Sequence, residues 1–343
     1  MKLLITSDFD QEHIEALRKM FSEVRLDGWG RTGYIMEEDD LINALQDIDV
    51  LIVGYEQVTR RVLDNTNLKL IASIRGGPKA NIDIEAATEK GIPVTYTIGR
   101  TKYSVADHTM ALLLSLLRYA SLTDRLLKQR VLTSEAKQKT AKDVIWSMGP
   151  GSPYDTYKGI ELHTLTMGLI GFGQIAEEVS KRANGFGMKI IAFDPYVNQS
   201  HADNFNVTMV GLDELMSTAD VVSIHCNVTP ETIGLIGREQ LARMKKNAYV
   251  INTARASVFE REAFYDALLN KRIAGAGLDV FHKEPLEPDE PLLDLDYVVL
   301  TPHIAGASTV LTLHHSRLVT EDVGRFVRGE RPKVLANPEI YER

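Results

Sequence analysis

A glycine-rich turn between two mainly apolar runs constrains the fold of this chain more than any other feature. The first run, Thr166–Ile170, leads into a turn that contains Gly171 and Gly173, and the second run, Lys189–Phe193, ends at Asp194. An apolar strand, a Gly-x-Gly turn, a helix and an acid about 20 residues after the turn are typical of a dinucleotide-binding βαβ unit. We expect the first glycine to make the tight turn. We expect the second to let a pyrophosphate approach the backbone at a helix N-terminus.

The acid after the second run indicates which dinucleotide such a unit prefers. Asp194 would accept hydrogen bonds from the adenosine ribose hydroxyls, and its charge would repel a 2′-phosphate, so the pattern favours NAD over NADP. Ala176 stands where a third glycine is common and would let the helix pack closely on the strand. A glycine turn alone can serve packing only, but the strand, the helix and the acid all stand at the expected offsets.

Composition limits the class of protein. The chain has 343 residues, of which 44% are hydrophobic and 25% charged, as in ordinary globular proteins of two domains. Its net charge of −8 argues against a general nucleic-acid binder. The single cysteine, Cys226, excludes an internal disulfide and fits a reducing compartment, and we interpret it as structural. No apolar run approaches the ~20 residues that span a bilayer. We therefore expect a cytoplasmic protein with no membrane or nucleic-acid partner.

Strand-like and helix-like segments alternate along the chain, which predicts parallel sheets with helices on their faces. The long helical pattern of residues 104–129 marks the crossing between two domains. We predict a discontinuous substrate domain, 1–103 with 304–343, and a dinucleotide domain, 104–303, in which residues 130–158 form a projecting arm or loop. The predicted strands are Lys2–Thr6, Val50–Val53, Leu70–Ile74, Ile92–Thr95, Thr166–Ile170, Lys189–Phe193, Val221–His225, Ala248–Asn252, Ala274–Leu278 and Val298–Leu300.

Three candidate catalytic residues each follow a predicted strand: Arg255, Glu284 and His303. In open α/β sheets, ligands bind at the carboxyl ends of the strands. Reduction of a 2-oxo acid by NADH needs a cation that holds the substrate carboxylate, for which a guanidinium is suited. It also needs a proton donor such as histidine, and a carboxylate that orients this donor. Each residue alone has a simpler interpretation, as a surface arginine, a structural histidine or a solvated Glu-Pro loop. Together they favour catalysis.

These segments resemble the D-isomer-specific 2-hydroxyacid dehydrogenase family, which includes glyoxylate/hydroxypyruvate reductases, D-lactate dehydrogenases and phosphoglycerate dehydrogenases. The matching stretches run from Leu70 to Pro338. The resemblance implies that Arg255 binds the substrate carboxylate, that His303 is the acid/base and that Glu284 is its partner. The stretches that carry the resemblance are Asn81-Ile-Asp83, Gly159-Ile-Glu-Leu162, the glycine turn, His225 with Thr229-Pro-Glu-Thr232, Asn252-Thr-Ala-Arg255, Asp279-Val280, Glu284-Pro285 and Thr301-Pro-His303.

The resemblance also implies an α/β architecture of two doubly wound, Rossmann-like parallel-sheet domains with the active site in the cleft between them. It implies a homodimer built through the cofactor domain and places Asp279 near the nicotinamide. No metal is expected, because Arg255 and His303 would polarise the carbonyl and no His/Cys cluster has the spacing of metal ligands. The residues predicted to bind NAD are Gly171, Gly173, Gln174, Ile175, Asp194, Thr229, Thr253 and Asp279.

The substrate loop departs from the family pattern. The family usually has Gly-x-Gly-x-Asp-Asn here, whereas residues 75–81 read Arg-Gly-Gly-Pro-Lys-Ala-Asn. Pro78 has no N–H to donate, so the two preceding glycines would bind the substrate carboxylate. The arginine and lysine of the loop either point to solvent or hold a second anionic group, in which case the substrate is larger or more anionic than glyoxylate. The predicted substrate-binding residues are Arg75, Gly76, Gly77 and Lys79.

The sequence therefore predicts an NAD-dependent oxidoreductase that interconverts a D-2-hydroxy acid and its 2-oxo acid. Two alternatives stay open. The first is a phosphoglycerate-type dehydrogenase, in which Arg75 or Lys79 meets the phosphate. The second is a non-catalytic NAD-binding interaction module, similar to the transcriptional corepressors built on this scaffold.

Overall fold

The structure is a computed structural model and describes residues 1–133 and 151–342. The chain divides into two compact units, Met1–Thr101 with Ser308–Arg343 (unit 1) and Lys102–Ala307 (unit 2). These boundaries lie a few residues from the predicted ones. Most of the predicted arm at 130–158 lies outside the described residues.

Unit 1 contains a sheet of five parallel strands with helices on both faces. Alternate residues of its central strand point to opposite faces of the sheet. Leu51 and Val53 pack in one apolar cluster, and Val50 and Ile52 pack in another. Burial on both faces explains why this strand reads as a continuous apolar run. The strands are β1 (Lys2–Ile5), β2 (Glu23–Leu26), β3 (Val50–Val53), β4 (Leu70–Ser73) and β5 (Val94–Thr95), in the order β2-β1-β3-β4-β5. The helices are Gln11–Arg18, Trp29–Thr32, Glu38–Ala44, Arg60–Asp64, Ile84–Glu89 and Leu311–Val327.

Unit 2 contains a sheet of seven parallel strands, again covered on both faces. Its strands are β6 (Thr166–Ile170), β7 (Lys189–Phe193), β8 (Thr208–Met209), β9 (Val221–Ile224), β10 (Tyr249–Asn252), β11 (Gly275–Leu278) and β12 (Val298–Leu300). They lie in the order β12-β11-β10-β9-β6-β7-β8, so the chain order reverses between β6 and β9. A reversal of this kind opens a crevice beyond the carboxyl ends of the two strands. The helices are Lys102–Leu117, Ala120–Lys128, Pro153–Thr156, Gln174–Gly185, Gln199–Ala202, Leu212–Thr218, Arg238–Arg243 and Arg261–Leu269.

The predicted class, two doubly wound parallel sheets, is confirmed. Two short strands were not predicted, β2 and β8, because both lie at sheet edges and mix charged or polar residues with apolar ones. The prediction of one long helix over 104–129 was wrong, since the helix breaks at Tyr119, whose φ is +56°. Neither glycine nor proline marks the break in the sequence.

Helix Lys102–Leu117 packs unusually close to the sheet of unit 2. A Cβ on Gly277 in β11 would lie 3.0 Å from the Cβ of Leu112, so glycine lets the helix and strand approach. This packing brings the side chain of His108 to the ends of β11 and β12. Among the described helices, each is too short or too polar to span a bilayer.

Candidate active site

The candidate catalytic and cofactor-binding residues of unit 2 all follow the carboxyl ends of its strands. Because parallel strands end at the same edge of a sheet, residues far apart in the sequence share one edge. The glycine turn follows β6, Asp194 follows β7, Thr229 lies in the loop after β9, Thr253 and Arg255 follow β10, Asp279 and Glu284 follow β11, and His303 follows β12.

The first glycine of the turn is required by the backbone. Gly171 has a φ of +86°, and a Cβ there would lie 2.6 Å from the backbone nitrogen of Cys226. Gly173 is exposed and precedes helix Gln174–Gly185 without a side-chain cap, and no atom lies within 4 Å of its hypothetical Cβ. Free N–H groups at a helix N-terminus and bare backbone suit a pyrophosphate. The turn therefore fits a dinucleotide, and Gln174 and Ile175 begin the helix beside it.

Asp194 is fixed next to this turn by two backbone donors. Its Oδ2 accepts a hydrogen bond from the N–H of Phe172 at 2.9 Å, and its Oδ1 accepts one from the N–H of Tyr196 at 2.9 Å. The first bond ties the end of β7 to the glycine turn. Each carboxylate oxygen keeps lone pairs for further donors, such as ribose hydroxyls.

His303 and Glu284 form a directly bonded pair. The Nδ1 of His303 lies 2.7 Å from Oε2 of Glu284, and Oε1 of Glu284 accepts the N–H of Phe281 at 2.9 Å. Burial opposes ionisation of Glu284, but these two hydrogen bonds and the charges of His303 and Arg255 hold its pKa below the ordinary value. The carboxylate therefore accepts from Nδ1–H. This leaves Nε2 of the imidazole as the atom that can exchange a proton with a substrate.

The positive charge of Arg255 acts on Glu284, since it contributes to the lowered pKa of that carboxylate. Its side chain is exposed, and Nη1 donates to the carbonyl of Ala254 at 2.6 Å. The side chain of Asn252 stabilises the turn after β10 through two hydrogen bonds. It donates to the carbonyl of Arg255 at 3.0 Å and accepts from the N–H of Ala254 at 3.0 Å. The backbone is thus fixed, while the remaining guanidinium N–H groups can face a carboxylate.

The loop that carries His303 is held by a buried carboxylate. Asp279 is fully buried and accepts three hydrogen bonds: its Oδ1 from the hydroxyl of Thr301 at 2.6 Å and the N–H of Ile304 at 2.8 Å, and its Oδ2 from the N–H of Ala305 at 2.8 Å. His303 lies between these anchors with a φ of +55°. A left-handed conformation at a non-glycine residue persists only where its surroundings impose it. Asp279 supplies that constraint.

Sequence reasoning missed His108, which supports this loop from helix Lys102–Leu117. Its Nε2 lies 2.9 Å from Oγ1 of Thr301 and 3.5 Å from Oδ1 of Asp279. Because the threonine hydroxyl donates to the carboxylate, its oxygen accepts from Nε2–H. His108 lies within a mostly apolar helix, so its spacing in the sequence gives no signal.

The predicted cofactor threonines make protein contacts of their own. Thr253 is buried, and its Oγ1 lies 3.0 Å from Oγ1 of Thr109. Thr229 is partly exposed, and its N–H donates to Oγ1 of Thr232 at 2.8 Å. Their roles in cofactor binding, like that of Asp279, stay predictions.

His225 and Cys226 lie next to the glycine turn but are unsuited to proton transfer or nucleophilic attack. Burial lowers the pKa of His225 to about 3, and its Nε2 lies 2.8 Å from Oγ of Ser223. Burial raises the pKa of the Cys226 thiol. The imidazole stays neutral and the thiol protonated near neutral pH, which fits the structural interpretation of Cys226. Over the described ranges, no group of three or more His, Cys, Asp and Glu side chains has the geometry of a metal site.

The predicted substrate loop belongs to unit 1 and follows β4. Arg75 is partly exposed, Gly76, Gly77 and Lys79 are exposed, and Pro78 is buried. The loop ends at Asn81, which is buried and donates its amide to the carbonyl of Glu56 at 2.8 Å.

Comparison with known proteins agrees with this geometry. The family model described as D-isomer specific 2-hydroxyacid dehydrogenase, NAD binding domain, matches residues 110–305. A glyoxylate reductase from Korarchaeum cryptofilum is 37% identical over 304 residues, which cover 88% of this chain and 86% of that protein. A D-3-phosphoglycerate dehydrogenase from Archaeoglobus fulgidus is 35% identical over 331 residues, which cover 96% of this chain and 58% of that protein. The crystal structure of the TT0316 protein from Thermus thermophilus has a TM-score of 0.79 and 31% identity, covering 98% of this chain and all of that one.

Unit 2 is thus a dinucleotide-binding domain of the Rossmann type. The chain belongs to the D-isomer specific 2-hydroxyacid dehydrogenase family, and residues 110–305 match its NAD-binding domain. This confirms the family resemblance and the nicotinamide cofactor predicted from the sequence. The chain spans about three fifths of the length of the first two curated relatives, both D-3-phosphoglycerate dehydrogenases (58% and 59%).

Asp279→Asn tests the anchor of the His303 loop. An amide in place of the carboxylate turns an N–H toward a backbone donor, so we expect a loss of about 1–3 kcal/mol in the free energy of unfolding. We also expect kcat to fall by about 10- to 100-fold, because the loop that carries His303, the predicted acid/base, is displaced. Denaturant unfolding and steady-state kinetics measure the two effects.

Asp220→Asn is the matched control, because Asp220 accepts the N–H of Thr166 at 2.9 Å at the opposite, amino-terminal edge of the same sheet. We expect it to lower stability while kcat per folded molecule stays unchanged. Equal kcat losses in both variants would contradict a specific role for Asp279.

Glu284→Gln tests the contact between Glu284 and His303 through the pH dependence of stability. Since the pKa of Glu284 is lowered from 4.5 in the folded protein, its contribution to stability is present above that value and is lost as pH falls through the lowered pKa. We expect the difference in Tm between wild type and variant to hold steady at neutral pH and to shrink below about pH 4.5. Thermal unfolding between pH 7 and pH 3.5 measures it, with Glu262→Gln, an exposed carboxylate on helix Arg261–Leu269, as control. A Tm difference between wild type and Glu284→Gln that grows as the pH falls would contradict the lowered pKa of Glu284.

Proposed function

We propose that this protein is an NAD-dependent oxidoreductase that interconverts a D-2-hydroxy acid and its 2-oxo acid. The 2.7 Å contact between His303 Nδ1 and Glu284 Oε2, at the sheet edge that also carries Arg255 and the glycine turn, is the observation that carries the proposal. Family membership supports the reaction class.

In the direction of reduction, NADH held by the glycine turn and Asp194 would supply the hydride that forms the new C–H bond at C2 of the 2-oxo acid. Nε2 of His303 donates a proton to the oxygen on C2, which takes up the electron pair of the former double bond, so that one 2-hydroxy acid and one NAD result. Glu284 stabilises the protonated imidazole and fixes its orientation. Arg255 binds the substrate carboxylate through two parallel hydrogen bonds. Orientation and fixed charges provide most of the expected rate enhancement.

The preference for NAD over NADP is proposed from Asp194. A fixed carboxylate next to the glycine turn repels a 2′-phosphate, whereas ribose hydroxyls can donate to it. The two backbone N–H bonds described above prevent the side chain from swinging away.

The loop after β4 is proposed to bind substrate, as the family resemblance implies, with Gly76 and Gly77 offering exposed backbone. Arg75 and Lys79 give this loop two positive charges. A 2-oxo acid that carries a second anionic group is therefore the proposed substrate class. A substrate with a phosphate would correspond to the phosphoglycerate-type alternative.

The assay that tests this function is NADH oxidation with a panel of 2-oxo acids that includes glyoxylate, hydroxypyruvate, pyruvate, 2-oxoglutarate and phosphohydroxypyruvate. We expect turnover with at least one acid, a preference for NADH over NADPH, and a loss of about 100-fold or more in kcat for His303→Ala, because a general acid is removed. His163→Ala, at an exposed histidine of the same unit, should leave kcat unchanged. NADH binding without turnover of any acid would contradict the enzyme and favour the interaction module.

We propose that the protein is a homodimer formed through unit 2. Helix Ala120–Lys128 has no buried residue within the described structure, and Leu127 and Val131 are 43% and 40% exposed. Exposed apolar side chains on this helix and just after it are stabilised when a second copy covers them. Sedimentation velocity at micromolar concentration should give the mass of a dimer, and Leu127→Asp should shift it toward monomer. A monomeric wild type would refute the proposal. Location in the cytoplasm stays a prediction from the sequence, based on the single cysteine and on apolar runs too short to span a bilayer.

A further inference from the structure

Two neighbouring loops of unit 1 are joined by Thr97. The loops follow β4 and β5, which pair in parallel with Ile71 opposite Val94. The N–H of Thr97 donates to the carbonyl of Arg75 at 3.1 Å, and its hydroxyl donates to the carbonyl of Ile74. The threonine is 1% exposed, so the two loops are held together by buried hydrogen bonds.

The first loop presents Arg75 on an aromatic surface. Its guanidinium carbon lies 5.3 Å from the centre of the Tyr55 ring, which meets the ring of Trp29 edge-on at 4.7 Å. The face of an aromatic ring attracts a guanidinium at this distance and leaves its N–H groups available to an anion.

The second loop presents Arg100, which was not among the residues predicted from the sequence. Its side chain is only partly exposed. Burial lowers the pKa of this guanidinium and the charge of Arg75 lowers it further, against the opposite effects of Tyr55 and Asp8. Arg100 stands three residues after Thr97, whose N–H is bonded to the carbonyl of Arg75, so the two arginines lie on neighbouring, hydrogen-bonded loops.

Among the described residues, neither guanidinium is paired directly with a carboxylate, although the charge of Asp8 acts on Arg100. Across residues 1–133 and 151–342, no side chain or carbonyl forms a hydrogen bond or ion pair with the guanidinium of Arg75 or Arg100. The nearby Asp8 is engaged by helix Leu311–Val327, since its carboxylate accepts from Thr312 and its carbonyl accepts from Nε2 of His315 at 2.9 Å. Two positive charges on neighbouring loops, one of them partly removed from water, are stabilised when an anion binds between them.

We propose that Arg75 and Arg100 together bind the second anionic group of the substrate, a carboxylate or a phosphate at the end distant from the 2-oxo acid. This inference rests on the proposed function, in which the loop after β4 binds substrate. Two guanidinium groups offer paired N–H donors in the geometry that a planar carboxylate or a phosphate accepts. We assign the second cation of the anion site to Arg100 and not to Lys79. Lys79 is exposed on the short helix Pro78–Ala80, which begins with a buried proline.

The test compares kcat/KM for pairs of 2-oxo acids that differ in the distant anion: 2-oxoglutarate with 2-oxopentanoate, and phosphohydroxypyruvate with hydroxypyruvate. We expect wild type to prefer the doubly anionic member of at least one pair, and the pair shows whether the anion is a carboxylate or a phosphate. Arg100→Gln should lower kcat/KM for that member by about 10- to 100-fold, as for the loss of a charged hydrogen bond. It should change the singly anionic member by less than about threefold, within the effect of a surface substitution.

Arg100→Lys keeps the charge but loses the paired donors, so an intermediate loss is expected. Arg60→Gln is the matched control, because Arg60 is an exposed arginine of the same unit that is paired with Glu89 at 2.6 Å, and it should leave both members unchanged. Thermal unfolding of each variant separates a folding defect from a binding defect. Equal losses on both members of each pair, or no preference in wild type, would overturn the proposal.

Calorimetry separates failure of this inference from failure of the proposed function. Titration with inorganic phosphate and with glutarate should show at least tenfold weaker binding of the preferred anion to Arg100→Gln than to wild type. The experiment gives this answer even if no oxo acid is reduced. Equal affinity in the two proteins would refute the anion site.

Discussion

The position of the proposed acid/base depends on the buried carboxylate of Asp279. Its three hydrogen bonds fix both sides of His303 and impose a left-handed backbone, a conformation that costs about 1–3 kcal/mol without such support. In this conformation Nδ1 of His303 lies 2.7 Å from Oε2 of Glu284. A carboxylate buried in the protein interior is itself costly unless every oxygen is satisfied, and here the loop supplies the donors. The loop and the acid therefore stabilise each other.

The parallel sheet explains why the remaining groups lie at one edge. Its strands are buried on both faces and therefore carry apolar residues. Polar functional residues stand at the positions just beyond the strand ends. Gly171, Asp194, Arg255, Glu284 and His303 each follow a different strand of unit 2. The same rule applies within unit 1, where the proposed anion site follows the last two strands of its sheet.

Much of this could be predicted from the sequence, because the relevant signals are local. The glycine turn is recognised from the segments next to it in the sequence. Each of the three candidate catalytic residues, Arg255, Glu284 and His303, stands in a short motif after an apolar run. The supporting contacts could not be predicted, because they join residues far apart in sequence. His108 meets Thr301 across the fold, and the environment of Arg100 depends on loops that only the folded sheet brings together. Edge strands β2 and β8 were missed because half-exposed strands lack a continuous apolar pattern.

Crystal structures of wild type and Asp279→Asn in the same crystal form would test the central claim most directly. The account predicts that wild type shows His303 in the left-handed region with Nδ1 bonded to Glu284. In the variant, residues 301–305 should move, His303 should leave that region and the contact with Glu284 should be lost. A variant with an unchanged loop and an intact histidine–glutamate contact would show that Asp279 does not position the acid/base.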